Sequence, residues 1–170
     1  MDHSTPTSTS DKSDKSQDSL RSFLTAAFEA CDGAGVILNN YFGNLRNIDE
    51  KFQAGLVSEA DRDSENYIVQ LLRSRFPGHD ILGEESGLSA APTDEEFGSI
   101  DQGSRGADER TRRSGALWMI DPLDGTTNYV HQFPFFCISI GLEIDGELVV
   151  GVVDAPKLGL RYHAVRGQGA

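Results

Sequence analysis

The chain has 170 residues, enough to bury a core, and one domain is the expectation. Its 27 acidic and 15 basic residues leave a formal charge of -12, which argues against a broad nucleic-acid footprint or attachment to an anionic membrane surface. A phosphorylated small molecule stays open as a ligand, because a bound cation inverts the local sign. Cys31 and Cys137 have no Cys-x-x-Cys neighbour, so two buried free thiols are expected rather than a disulfide framework. The N-terminus has no apolar signal core, and no apolar run of about 18 residues occurs, so cytoplasm is the expected compartment.

Residues 1–19 are Ser, Thr, Asp and Lys with almost nothing to bury, which predicts a disordered polar tail. From Leu20 the period changes. Leu20, Phe23, Leu24, Ala27, Cys31, Ala34, Leu38, Tyr41 and Phe42 recur at threes and fours, the pattern of a long amphipathic helix stopped by Gly43-Asn44. Asp18 or Ser19 is its expected cap, and close packing is the expected reason for Gly33 and Gly35. Residues 47–54 read as a polar loop carrying Lys51. A second helix follows Leu56-Val57-Ser58, with Ile68, Leu71 and Leu72 buried and Pro77-Gly78 at its end. Ser58 or Asp61 caps it, and a carboxylate at such a start can also face a cleft.

His79 to Ser86 reads as a short strand running into paired acids, Glu84 and Glu85, whose side chains point apart unless the backbone bends. His79 lacks a companion at ligand spacing and reads as structural or solvated. Residues 89–114 form a polar connection that is long for a compact domain, with a short helix expected near Asp94 to Phe97. Arg110, Arg112 and Arg113 near its end suit either an anion contact or plain surface charge. Beyond Tyr129 the chain is strongly β. A strand from about Phe133 to Ile144, the hairpin signal Asp145-Gly146, a return strand from Glu147 to Asp154 and a third from Leu160 to Val165 are expected. The sum is two helices and a mainly antiparallel sheet, an α+β fold.

The organising stretch is Leu117-Trp118-Met119-Ile120-Asp121-Pro122-Leu123-Asp124-Gly125-Thr126-Thr127-Asn128-Tyr129. An apolar run delivers Asp121, Pro122 removes a backbone donor, and Asp124-Gly125 signals a turn. Two carboxylates aimed at one spot need a cation, or one of them takes up a proton. The competing reading is an Asp-rich surface turn. Asp61, Glu84, Asp121 and Asp124 each adjoin a structural transition, and hard oxygen ligands without His or Cys suit Mg²⁺ or Mn²⁺.

Gly83-Glu84-Glu85-Ser86 and the Asp121-Pro122-Leu123-Asp124-Gly125-Thr126 string resemble the two signature blocks of the inositol monophosphatase family, and the Leu56 to Asp61 stretch resembles a third. The resemblance covers about 20–170. It implies the N-terminal part of the layered αβαβα inositol monophosphatase/sugar phosphatase fold, and Mg²⁺-dependent, lithium-sensitive hydrolysis of a small phosphate monoester, foremost inositol-1-phosphate. It implies metal ligation by Glu84, Asp121, the Leu123 carbonyl and Asp124. Catalysis falls to Glu84, Thr126 and Asp61, with Thr126 and Asp61 positioning the attacking water. Phosphate contacts involve Glu84, Leu123, Asp124, Gly125 and Thr126, and Lys51 fits a loop lysine near the metals. The expected partners are a small phosphorylated substrate and, for an intact member, a second copy; nucleic acid and membrane are not expected.

Family members continue for roughly another hundred residues into a second domain carrying one more Asp ligand, so the resemblance implies that this C-terminal domain is absent here. That leaves a truncated, non-catalytic metal- or phosphate-binding remnant as an alternative to an active enzyme. The Asp154-Ala155-Pro156 stretch looks more like histidinol-phosphate phosphatases of the same family, and fructose bisphosphate or a phosphoadenosine nucleotide also fits.

Overall fold

A computed structural model describes residues 10–46, 48–51, 55–92 and 115–170. Helix α1 spans Ser10–Tyr41. It starts ten residues before the expected position, so residues 10–19, assigned from composition to a disordered tail, carry helical backbone. The cause is propagation: extending a formed helix adds one hydrogen bond per residue without a new nucleus, and residues 10–19 contain neither Gly nor Pro. The helix stops as expected, with Gly43 in the left-handed region at φ 79° and Asn44 N–H donating to Tyr41 O at 2.7 Å.

Strands β1 (Ile48–Lys51) and β2 (Gly55–Ser58) pair antiparallel. Lys51 therefore lies at a strand end rather than in a loop; a run too short and too polar to show alternation gave no strand signal. Helix α2 (Glu59–Arg75) follows directly, and α1 and α2 pack against each other. Ala26, Ala27, Ala30, Cys31, Ala34 and Leu38 form the buried stripe of α1. Gly33 is a contact point, since a Cβ there would lie 2.1 Å from the Tyr67 ring.

Strands β3 (Asp80–Gly83), β4 (Gly87–Ser89), β5 (Ala116–Asp124), β6 (Cys137–Ile144), β7 (Glu147–Ala155) and β8 (Leu160–Val165) form one sheet. Its order is β4-β3-β5-β6-β7-β8. Every pairing is antiparallel except β3 with β5. That exception follows from the β3–β4 hairpin: β4 runs back antiparallel to β3, so β5 starts from the same end of the sheet as β3. The expected short helix near Asp94 to Phe97 and the arginines at 110, 112 and 113 lie outside the described residues.

The β6–β7 hairpin turns where Asp145-Gly146 predicts, with φ of 52° and 84° at these two positions, the type I′ geometry that suits the twist of paired strands. A further element was not expected. Residues 126–130 form a one-turn helix, α3 (Thr126–Val130), and β6 begins at Cys137 rather than near Phe133. Five residues are too few to display a helical period. Helices α1 and α2 cover one face of the sheet, and Leu38, Ile68, Leu72, Trp118, Leu123, Ile138, Ile140, Leu142 and Val152 fill the space between. On the opposite face, Leu148, Val153 and Tyr162 are exposed.

Candidate metal and phosphate site

The site begins with a defect in the sheet. Strands β5 and β6 pair regularly from Ala116 and Ile144 to Asp121 and Ser139, then resume at Asp124 and Cys137. Three steps on β5 thus face two on β6, a β-bulge. On a regular strand, residues three apart point to opposite faces. The bulge removes that opposition for Asp121 and Asp124. Pro122 sits inside it, where a missing backbone donor costs no ladder bond. The Leu123 N–H folds back to Asp121 Oδ1 at 3.1 Å, and the Leu123 side chain is fully buried.

Asp121 is half-buried, and its carboxyl is pushed up to about 7 by burial first, then by the charge of Glu84 and more weakly that of Asp124. This is the electrostatic mark of a converged carboxylate pair. Among the described residues, no three Asp, Glu, His or Cys side chains already form a closed ligand set. Glu84 and Asp124 lie within electrostatic reach of Asp121, and the donor atoms of these three side chains are carboxylate oxygens. That set fits a hard divalent cation such as Mg²⁺.

Beside this group stands a second one. Asp61, at the third position of α2, is 1% exposed. Its Oδ2 accepts the Ser58 N–H at 2.8 Å and the Ser58 hydroxyl at 2.5 Å, the carboxylate half of a capping box. The cap expected from sequence is therefore present, and it leaves Oδ1 free to look outward. Thr126 Oγ1 lies 3.2 Å from Asp61 Oδ1 and 3.0 Å from Leu123 O. A hydroxyl has one proton, so it donates to only one of these at a time. Burial raises the Asp61 pKa, and the hydrogen bonds from Ser58 and Thr126 oppose that rise.

Leu123 joins the two groups, with its N–H on Asp121 and its carbonyl within reach of Thr126. Gly125 makes the turn into α3 at φ 94°, and a Cβ there would come within 3.1 Å of Phe135 O. Both facts exclude ordinary side chains. Tyr129 anchors α3 from below, donating from its hydroxyl to Leu38 O at 2.5 Å. Asp124 is exposed and borders a cleft shared with Gly125, Asn128, Phe135, Cys137 and Tyr162.

Two residues of the site were missed from sequence. Cys137 is half-buried rather than buried, and its thiol lies 3.5 Å from Asp124 Oδ2; burial and the Asp124 charge push it up to about 11. Its place in an apolar run suggested full burial, but it opens β6 at the bulge, where the pairing is interrupted. Glu65 is the other. It is buried on α2 one turn after Asp61 and holds the turn that carries Glu84. Only its i+4 spacing from Asp61 hinted at a shared face. The backbone does bend at Glu84-Glu85-Ser86, the condition under which the paired acids need not point apart. His79 is structural: it stacks on Phe76 and accepts the Trp118 indole N–H at 3.1 Å.

The profile of the inositol monophosphatase family matches residues 19–170. Inositol monophosphatase 3 of Solanum lycopersicum is 39% identical over 152 residues, covering 89% of this chain and 50% of the relative. The native crystal structure of the extragenic suppressor protein suhB from Bartonella henselae superposes with a TM-score of 0.69 at 31% identity, covering 86% of this chain and 50% of that one. Inositol monophosphatase from Anabaena sp. gives a TM-score of 0.64 at 37% identity, with 89% and 46% covered. The chain spans about half the length of the curated relatives it matches. With the bulged Asp-Pro-Leu-Asp-Gly-Thr segment and the profile match over nearly the whole chain, this protein belongs to the inositol monophosphatase family.

Proposed function

We propose that this chain forms the metal- and phosphate-binding part of a Mg²⁺-dependent phosphomonoesterase acting on inositol-1-phosphate. The observation that carries the reading is the β5 bulge, which brings Asp121 and Asp124 out of opposition beside the Thr126–Asp61 pair, with Asp121 pushed up to about 7 by burial first and the Glu84 charge second. Glu84, Asp121, the Leu123 carbonyl and Asp124 would hold the cation. When bound, it polarises the phosphate ester and neutralises charge on the leaving oxygen.

The chain's own groups supply the rest. A cation on Leu123 O would leave the Thr126 hydroxyl donating its hydrogen bond to Asp61, with its lone pairs open to accept from an attacking water. Asp61 fixes that direction because Ser58 immobilises its other oxygen. Glu84 would accept the water's proton. Gly125 lets a phosphate oxygen approach the backbone without meeting a Cβ.

Several relatives are named inositol monophosphatases, which supports inositol phosphate as the substrate, and one is named for fructose bisphosphate as well. In the stretch that resembles histidinol-phosphate phosphatases, Asp154 accepts from Arg161 Nε at 2.7 Å, and Arg161 also reaches Asp32 at 2.6 Å, tying β8 to α1. The same proposal includes lithium sensitivity and a cytoplasmic location; no helix among the described residues is long and apolar enough to cross a membrane. The test is phosphate release from inositol-1-phosphate, histidinol phosphate and fructose bisphosphate with Mg²⁺ or chelator, beside a calorimetric Mg²⁺ titration. Mg²⁺ uptake lost in Asp121→Asn, with turnover fastest on inositol-1-phosphate, supports the reading. Uptake equal in wild type and Asp121→Asn overturns it.

A further inference from the structure

Glu65 is 3% exposed, and its carboxylate meets main chain. Its Oε2 accepts the Glu85 N–H at 2.8 Å, and its Oε1 accepts the Ser86 N–H at 2.8 Å. Two successive amides turned onto one anion form a small nest. The same carboxylate explains Gly83: a Cβ there would stand 2.6 Å from Glu65 Cδ and 2.7 Å from each oxygen. Glu84 lies between the excluded side chain and the captured amides, so its backbone is clamped on both sides.

We infer that Glu65 is a positioning residue that holds the Gly83 to Ser86 turn so that the Glu84 carboxylate faces Asp121. The inference rests on the metal-site reading given above. Helix α2 then carries two buried carboxylates one turn apart with divided tasks. Asp61 grips the segment containing Leu123 and Thr126, and Glu65 grips the one containing Glu84. The spacing between the two halves of the site is thereby fixed by a single helical turn, about 5.4 Å along the axis. A charged acceptor suits this task better than a neutral one, because a carboxylate offers acceptor sites on both oxygens and a side-chain amide offers them on one.

The test uses Mn²⁺ alone as probe, titrated into wild type, Glu65→Gln and Gly83→Ala by electron paramagnetic resonance. Amide ¹H–¹⁵N shifts of Glu85 and Ser86 are followed in parallel. Glu65→Gln keeps the size but presents an NH₂ to one of the two amides. The expected result is a loss of Mn²⁺ affinity of about 10–100-fold, as for other groups that orient a ligand, with one of the two amide shifts moving to a non-bonded value. Gly83→Ala, which presses on the same carboxylate from the other side, should lose affinity in the same direction. Glu65→Asp, with the charge retained, should recover part of it. A folded Glu65→Gln that binds Mn²⁺ like wild type overturns the inference, whether or not the amides move. A wild type that takes up no Mn²⁺ refutes the metal-site reading itself, and the positioning role with it.

Discussion

Replacing Asp61 with Asn separates stability from chemistry. The carboxylate is almost fully buried, and its folded-state pKa is raised, with burial the largest cause. A carboxyl whose folded pKa exceeds its unfolded one costs stability when it ionises: the benefit is complete below the unfolded pKa and is lost as pH rises through the folded one. Asn removes that cost and can still satisfy its surroundings. Its oxygen accepts the Ser58 N–H and hydroxyl, and its NH₂ donates to Thr126 Oγ1, which turns its own proton to Leu123 O. Asp61→Asn should therefore remain within about 1 kcal/mol of wild type near pH 7, the scale of one ordinary hydrogen bond. Asp61→Ala orphans two buried Ser58 donors and should lose about 2–6 kcal/mol, at about 1–3 kcal/mol for each unsatisfied group. Urea unfolding followed by Trp118 fluorescence measures both. In the Asn variant the Thr126 hydroxyl binds the carbonyl assigned to the cation, so Mg²⁺ affinity should fall while the fold holds. An Asn variant as unstable as the Ala variant would refute this reasoning, because it would make the buried charge a stabilising element.

The apo chain should lose stability as pH rises through about 7, the value to which burial and Glu84 push Asp121, because the raised carboxyl then ionises against its neighbours. Saturating Mg²⁺ should reverse that slope and Asp121→Asn should flatten it, as read by urea midpoints across pH with Mg²⁺ or chelator. Tyr129→Phe should cost about 1 kcal/mol, near the lower end for a lost buried bond, since Leu38 O keeps the Phe42 N–H at 3.0 Å; urea unfolding gives the value. Burial lowers the His79 pKa against the opposing charge of Asp80, so its contribution is complete above its unfolded pKa and is lost as pH falls through the folded one. Trp118, the only tryptophan, donates to His79 and should report the change as an emission shift between pH about 7.5 and about 5. His79→Phe should remove this acid-dependent shift.

The long elements were legible because their periods repeat. The α1 stripe, the α2 cap and the β6–β7 turn follow from spacing and turn chemistry at Ala27 to Leu38, Ser58 to Asp61 and Asp145-Gly146. What escaped was either too short to repeat or set by tertiary contact. α3 occupies one turn, β1 and β2 have four residues each, and the upstream extension of α1 is carried by the packed helix below it. The acids at 61, 84, 121 and 124 could be named from the chain, but their convergence could not. It depends on a register shift between β5 and β6, and strand pairing is not written in either strand alone. Glu65 was invisible for a related reason: its partners are amides of another segment, and amides have no letter in a sequence.

That last point applies with most force to Leu123. Both of its peptide groups are committed, the N–H to Asp121 and the carbonyl to the Thr126 side, while its side chain only fills the core. A survey of substitutions at this position would rank residues by volume and greasiness, and Ile or Met would pass. The chemically informative change is to the atoms every residue shares. Replacing the Leu123 N–H by an ester oxygen through chemical ligation would silence the contact to Asp121 without altering one side chain, and would show how much of a candidate metal site can be written in backbone.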